Sequence, residues 1–142
     1  MRRLALVAFV ALVAACGGNG GGGLSREEFV AELDRICADF RETEDALPEP
    51  QSLEEIAEKG RTVRKEFGAA IERTRDLGEP PEEIRADVNR FLEISDELHR
   101  RIGELVEAAE EEDVPRLQGL ADEGEKLQQE SDEIAERLGA EC

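Results

Sequence analysis

The chain has 142 residues, enough for one domain, and its formal net charge at pH 7 is −18. A surface this acidic repels phosphate groups, so the composition argues against nucleic acid as a partner and against electrostatic attachment to anionic lipid headgroups. Trp and Tyr are absent, and the single Met is Met1. Aromatic platforms for sugars or bases, and thioether ligation of copper, are therefore not expected.

The start of the chain has the pattern of a bacterial lipoprotein signal. Two arginines precede an apolar run over residues 4–15, which ends in small residues directly before Cys16. In such a signal the cysteine becomes the new N-terminus and carries acyl chains on its sulfur and its amine. The run is too short for a transmembrane anchor, which needs about 20 apolar residues. An ordinary secretory signal would look similar, but a cysteine between two alanines and two glycines favours the lipoprotein form.

We therefore expect three segments. These are a cleaved signal peptide over residues 1–15, a lipidated Cys16 with a glycine-rich linker over residues 16–24, and a folded domain over residues 25–142. The seven glycine-rich residues 17–23 of this linker have an r.m.s. span of roughly 15 Å. Because the domain is acidic, only the lipid would hold it to the membrane, and two or more acyl chains give stable anchoring. The expected location is the extracytoplasmic face of a bacterial cell membrane.

Two further cysteines, Cys37 and Cys142, remain in the mature chain. Outside the cytoplasm an isolated pair of cysteines most often forms a disulfide, and no neighbouring soft or imidazole ligands indicate a metal site. The bridge would close a loop of about 105 residues, which in the chain-entropy model stabilises the fold by on the order of 4–5 kcal/mol.

Four segments with apolar residues at three- and four-residue spacing predict four amphipathic helices. Ser25 with Glu28 forms a capping box at the start of the first helix, which should end before Pro48. Ser52 with Glu55 predicts the same capping box for the second helix. Gly78, followed by Pro80-Pro81, predicts the end of the second helix.

The third helix has the most regular period. Its apolar residues over 84–109 alternate spacings of four and three, which predicts a heptad seam with Ser95 as its one polar member. We expect the Ser95 hydroxyl to bond back to its own helix. Asp113 can cap a fourth helix, which Gly139 ends. The predicted inner face of the fourth helix consists of Leu117, Leu120, Ala121, Gly124, Leu127, Ser131, Ile134, Ala135 and Leu138.

Long amphipathic helices joined by short connections, with no strand pattern, predict an all-α fold. The expected architecture is an antiparallel up-down-up-down four-helix bundle with one disulfide. The first and fourth helices are then neighbours, and a bridge from Cys37 to Cys142 would join them. Cys37 lies well inside its helix, whereas Cys142 follows the end of its own. Either the first helix projects past the bundle toward the linker, or the last residues fold back along it.

The mature chain has a helix-borne cysteine near its start, paired prolines at mid-chain and a terminal cysteine. The segments are LSREEF at residues 24–29, DRIC at 34–37, Pro80-Pro81 and LGAEC at 138–142. Together they resemble a group of small exported actinobacterial proteins and lipoproteins, over nearly the whole mature domain. The resemblance implies export, an all-α fold and the disulfide. It implies no catalytic or binding residue, because the group has no assigned activity.

His99 is the only histidine and lies at the edge of the third apolar stripe. Asp96, three residues earlier, gives the carboxylate-x-x-histidine spacing of di-iron bundles, but such sites need a second histidine. Ser95, Asp96 and His99 share one helix and so lack the exposed turn and oxyanion hole of a hydrolase. We expect no catalytic residue, and a boundary histidine paired with Asp96 or Ser95.

The densest acidic run is formed by Glu107, Glu110, Glu111, Glu112 and Asp113. It lacks the spaced oxygen ligands and the glycine of a calcium-binding EF-hand loop, so we expect a solvated helix end and no metal or other cofactor.

Small residues recur on the inner helix faces, namely Gly60, Ala70, Ser95, Gly124 and Ser131. They favour close approach of the helices, and the alternative is a cavity for a small apolar ligand. The sequence favours a monomeric, non-enzymatic binding or interaction module of the cell envelope, whose acidic surface suits a cationic protein or polymer. The alternative is a carrier of a small ligand or metal ion, in a bundle cavity or at the acidic run. An enzyme ranks third.

Overall fold

The computed structural model describes residues 23–142, so the predicted signal peptide and Cys16 lie outside the described residues. Four helices make up the described part, and no strand occurs within it: α1 (Arg26–Asp45), α2 (Leu53–Asp76), α3 (Arg85–Glu110) and α4 (Val114–Leu138). They form the expected antiparallel bundle, with α3 packed between α2 and α4. Over residues 23–142, none of these helices combines the length and the apolar character that crossing a membrane requires.

The helix starts follow the predicted caps, with one exception. At α1 the Ser25 hydroxyl accepts from the Glu28 amide at 3.3 Å, and the Glu28 carboxylate accepts from the Ser25 amide at 2.9 Å. That second bond favours the ionised form and lowers the pKa of Glu28. At α2 the Ser52 hydroxyl accepts from the Glu55 amide, but the Glu55 carboxylate accepts from the amide of Gln51. Half of the predicted second capping box is therefore wrong, because the Glu55 carboxylate does not accept from the Ser52 amide.

Caps also set the remaining boundaries. Asp113 accepts a hydrogen bond from the Arg116 amide at 3.1 Å and begins α4, with a proline in the first turn, as predicted. Gly78 and Gly139 follow the ends of α2 and α4 with φ of 88° and 76°. This left-handed region costs glycine little, so both positions let the chain leave the helix sharply.

The larger hydrophobic core lies at the end of the bundle where α1 and α3 begin and α2 and α4 end. All of its fully buried members come from α1, α3 and α4 or directly precede α3: Phe29, Leu33, Ile84, Val88, Phe91, Ile94, Ile134 and Leu138. A second, smaller cluster at the opposite end contains Ala57, Val106 and Ala109 with Ile56 and Leu117, and none of these belongs to α1. Of the two clusters, α1 therefore contributes to the larger one only.

The predicted heptad seam of α3 is buried through its first half and again at its last member, Ala109, but not between them. Val88, Phe91 and Ser95 are buried, but Leu98, Ile102 and Leu105 are only half-buried, whereas Val106 is buried instead. The physical reason is that the second cluster, which packs against this end of α3, draws its residues from α2, α3 and α4 and none from α1. On α4 the predicted inner-face residue Ala121 is exposed.

The open question about the disulfide has a clear answer: the last residues fold back along α1. Gly139 turns the chain, and the amide of Glu141 then donates to the Asp34 carboxylate at 2.7 Å. Cys142 reaches Cys37, with an S–S distance of 2.07 Å and a Cα–Cα distance of 5.2 Å. The predicted disulfide is therefore present. We call residues 139–142 the C-terminal tail.

Candidate functional site

A cavity of about 400 Å³ lies in the middle of the bundle, beside the larger hydrophobic core. We call it the central cavity. All four helices and the C-terminal tail contribute to its lining, which consists of Ile36, Cys37, Phe40, Arg41, Glu44, Phe67, Ala70, Ile71, Thr74, Phe91, Leu92, Ser95, Leu98, Gln128, Ser131 and Cys142. The closely packed helix pairs are α2 with α3, α3 with α4, and α1 with α2, so the cavity lies where α1 and α4 are not in close contact.

The cavity wall is mainly apolar. Phe40 of α1 and Phe67 of α2 meet there with ring centroids 5.2 Å apart and an interplanar angle of 41°. Ile71 and Phe91 are buried in the same wall. Such a surface excludes water well and suits hydrocarbon, since burying apolar area is favourable and needs no particular orientation.

A few polar groups interrupt the apolar wall. The buried polar residues of the described chain are Thr74, Ser95 and Ser131, and all three line the central cavity. Thr74 donates to the carbonyl of Ala70 at 3.0 Å, and Ser95 donates to the carbonyl of Phe91 at 2.8 Å. The predicted back-bonding of Ser95 is confirmed. Each of these hydroxyls still has lone pairs, so a bound molecule could donate a hydrogen bond to it.

The exposed residues of the lining mark the mouth of the cavity: Arg41 and Glu44 on α1, and Gln128 on α4. The Arg41 guanidinium donates from Nη2 to the carbonyl oxygen of Glu141, at 2.7 Å, so the C-terminal tail holds this side chain at the mouth. The mouth therefore presents one cation and one anion to solvent.

The disulfide forms part of the same wall, because Cys37 and Cys142 both line the cavity. The sequence predicts the bond but not this position. The sequence patterns also did not identify Arg41, which lies four residues after Cys37 on the same helix face. Spacing from Cys37 could have placed Arg41 beside the disulfide, but only the path of the C-terminal tail shows that both lie at a cavity.

The two interpretations of the small residues each apply at different positions. Ala70, Ser95 and Ser131 line the central cavity. Gly60 instead permits close packing, since a Cβ added there would lie 2.7 Å from Cγ2 of Val106. A Cβ added to Gly124 would meet nothing within 4 Å, so neither interpretation explains this glycine.

The predicted pairing of His99 is wrong. Asp96 accepts from the guanidinium of Arg75, at 2.6 and 2.7 Å, and these bonds raise the pKa of Arg75. Ser95 donates to its own helix, as described above. His99 is half-buried and packs on α2, where its Nε2 lies 3.0 Å from the position of a Cβ on Gly68. It does not line the central cavity.

Most carboxylates of the acidic run form ion pairs or cap a helix within the fold. Glu107 and Glu111 pair with Arg116, and Glu110 pairs with Arg61. Asp113 caps α4. Across residues 23–142, no group of three or more His, Cys, Asp or Glu side chains is arranged to hold a metal ion.

Comparison of the chain with known proteins finds no matching protein family, no matching curated protein and no matching solved structure. The resemblance to exported actinobacterial proteins therefore stays a prediction from the sequence. The interpretation of the site depends on the geometry of the central cavity itself.

Proposed function

We propose that this protein is a lipid-anchored, extracytoplasmic bacterial binding protein that holds a small, mainly apolar molecule in its central cavity and performs no chemistry on it. The observation that carries the proposal is the cavity, with its apolar wall and three buried hydroxyls. Ligand sites in proteins have this character, with mostly hydrophobic walls and few polar groups that fix orientation.

The volume supports a ligand of modest size. A cavity of about 400 Å³ falls near the lower end of the range for sites of drug-sized ligands, roughly 300–1,000 Å³. Each methylene removed from water contributes about 0.8 kcal/mol, so a chain of eight carbons gains about 6 kcal/mol before the costs of association. Because the costs of association reduce this gain, the expected dissociation constant is no tighter than about 40 μM and reaches the millimolar range.

Two features of the sequence support the proposed location. Cys16 follows the pattern of a lipoprotein signal, and disulfides such as Cys37–Cys142 are typical of compartments outside the cytoplasm. A glycine-rich linker between Cys16 and α1 would let the binding domain stand away from the membrane surface.

Filling the cavity tests the proposed function. Ala70 lines the cavity, and the substitution Ala70→Leu places additional carbon atoms where a ligand would lie. The probe is decanol, and the measurement is the thermal midpoint by circular dichroism with and without it. In the wild type, decanol at about ten times its Kd should raise the midpoint by about 4 °C. In Ala70→Leu the rise should disappear.

The matched control is Ala121→Leu, which adds the same carbon atoms at an exposed position of α4 outside the cavity. This variant should retain the full wild-type response to decanol. Equal responses in the wild type and in Ala70→Leu, or no response in the wild type, would contradict the proposal.

A further inference from the structure

We infer that the ligand is an amphiphile with a single alkyl chain and a carboxylate head, and that Arg41 at the cavity mouth binds the head. This inference rests on the proposed function, because the alkyl chain must occupy the central cavity. It adds the chemical class of the ligand and names the residue that selects it.

Arg41 differs from most basic residues of the described chain in forming no ion pair. Most arginines and lysines within residues 23–142 form ion pairs with carboxylates. The basic residues of this part of the chain that form none are Arg26, Arg41, Lys59, Arg64 and Lys126. Of these, only Arg41 lines the central cavity. On a chain with twice as many acidic as basic residues, a guanidinium without a carboxylate is the exception.

The Arg41 guanidinium is held in place at the cavity mouth. Its bond to the Glu141 carbonyl orients the side chain, and the amide of Glu141 is itself fixed by Asp34. The Cys37–Cys142 disulfide holds the same segment. A guanidinium has five N–H donors, and the structure records one hydrogen bond from this one, so donors remain for a carboxylate. Such a pair can be bidentate, which adds geometric selectivity.

Glu44 and the net charge of −18 both oppose the binding of an anionic head at the cavity mouth. The net charge repels an anion at long range, but salt screens this repulsion over about 8 Å under physiological conditions. Glu44 lies on the same helix as Arg41 yet forms no ion pair with it among the described residues. Contact at the mouth therefore sets the preference for the head, whereas the net charge mainly slows its arrival.

The test compares decanoate with decanol, which share the alkyl chain and differ in the charge of the head. The full-length protein is placed in lipid nanodiscs, and binding of each radiolabelled compound is measured by equilibrium dialysis against empty nanodiscs. The wild type should bind decanoate more tightly than decanol. Arg41→Gln should weaken decanoate binding about tenfold, the size expected for a hydrogen-bonded ion pair, and leave decanol binding unchanged.

The matched control is Lys126→Gln, which removes the same charge from a cation that is unpaired in the described chain and lies outside the cavity. It should bind both compounds as the wild type does. Arg41→Lys distinguishes loss of the charge from a folding defect, because it keeps the charge and should retain part of the preference for decanoate. Circular dichroism of each variant checks the helical fold.

The outcomes separate the two proposals. If the wild type binds neither compound, the proposed function fails and this inference fails with it. If decanol binds while decanoate binding does not depend on Arg41, only the inference is overturned. Equal losses of both compounds in Arg41→Gln would likewise overturn it, since that pattern indicates damage to the cavity.

Discussion

Glycines inside the helices differ in whether a side chain would fit there. Substitution by alanine distinguishes the two kinds. A Cβ at Gly60 would lie 2.7 Å from Cγ2 of Val106, a branched side chain buried in the core, whereas a Cβ at Gly119 would meet nothing within 4 Å. Alanine in a helix interior gains about 0.8–1.0 kcal/mol over glycine, but overpacking a core costs about 1–3 kcal/mol. Gly119→Ala should therefore stabilise the protein, and Gly60→Ala should destabilise it by about 1 kcal/mol.

Denaturant unfolding followed by circular dichroism measures both changes. Gly103→Ala is an informative control, because its Cβ would lie 2.9 Å from Cζ of Arg64. That atom belongs to the end of a flexible side chain, which can move away at little cost. Gly103→Ala should thus be close to Gly119→Ala in stability. A Gly60→Ala variant as stable as Gly119→Ala would show that α2 and α3 pack less closely than the structure describes.

At the scale of elements, α1 contributes to the hydrophobic core mainly through its first half. Its first two turns supply Phe29 and Leu33 to the core, whereas its last turns reach no core cluster. The disulfide and the C-terminal tail attach the middle of α1 to α4. Replacing both bridging cysteines, Cys37→Ser with Cys142→Ser, should lower the free energy of unfolding by on the order of 4–5 kcal/mol. It should also speed amide hydrogen exchange along α1.

Hydrogen exchange followed by mass spectrometry measures this effect element by element. The internal control is α3, which packs between α2 and α4 and should keep its relative protection in the double variant. Because the disulfide forms part of the cavity wall, the variant should also lose affinity for decanol. Unchanged protection of α1 would mean that its core contacts alone hold it in place.

The helices themselves follow closely from the sequence, because their boundaries depend on local chemistry. The Ser25 capping box, the Asp113 cap and the turn at Gly139 each act within one turn of helix, so the sequence displays them directly. Leu98, Ile102 and Leu105 of the predicted seam are only half-buried, because burial depends on which helices pack against that part of α3. For the same reason the sequence left undecided whether the bundle contains a cavity. That depends on how the four helices pack together, which no local pattern encodes.

At the scale of the whole molecule, the surface charge does not favour attachment to an anionic membrane, so anchoring needs another cause. The chain carries a net charge of −18, and the paired arginines of the described helices leave an excess of carboxylates on the surface. Attraction of a cationic protein or polymer by this surface remains a prediction from the sequence. An anionic membrane would repel it, so attachment to the membrane requires a covalent lipid.

The substitution Cys16→Ser tests this requirement. Loss of the sulfur removes the proposed site of acylation, so the variant should lack the mass of the acyl chains and should no longer remain attached to the membrane. Fractionated cells washed with 1 M salt provide the measurement, together with intact-mass spectrometry. Salt should not release the wild type, because screening of charge does not weaken the burial of acyl chains. Cys142→Ser is the matched control, since it removes a different cysteine and should keep both the lipid and the membrane attachment. A wild-type protein that salt releases, or one whose mass contains no acyl chain, would contradict the lipid anchor and leave the proposal of the central cavity intact.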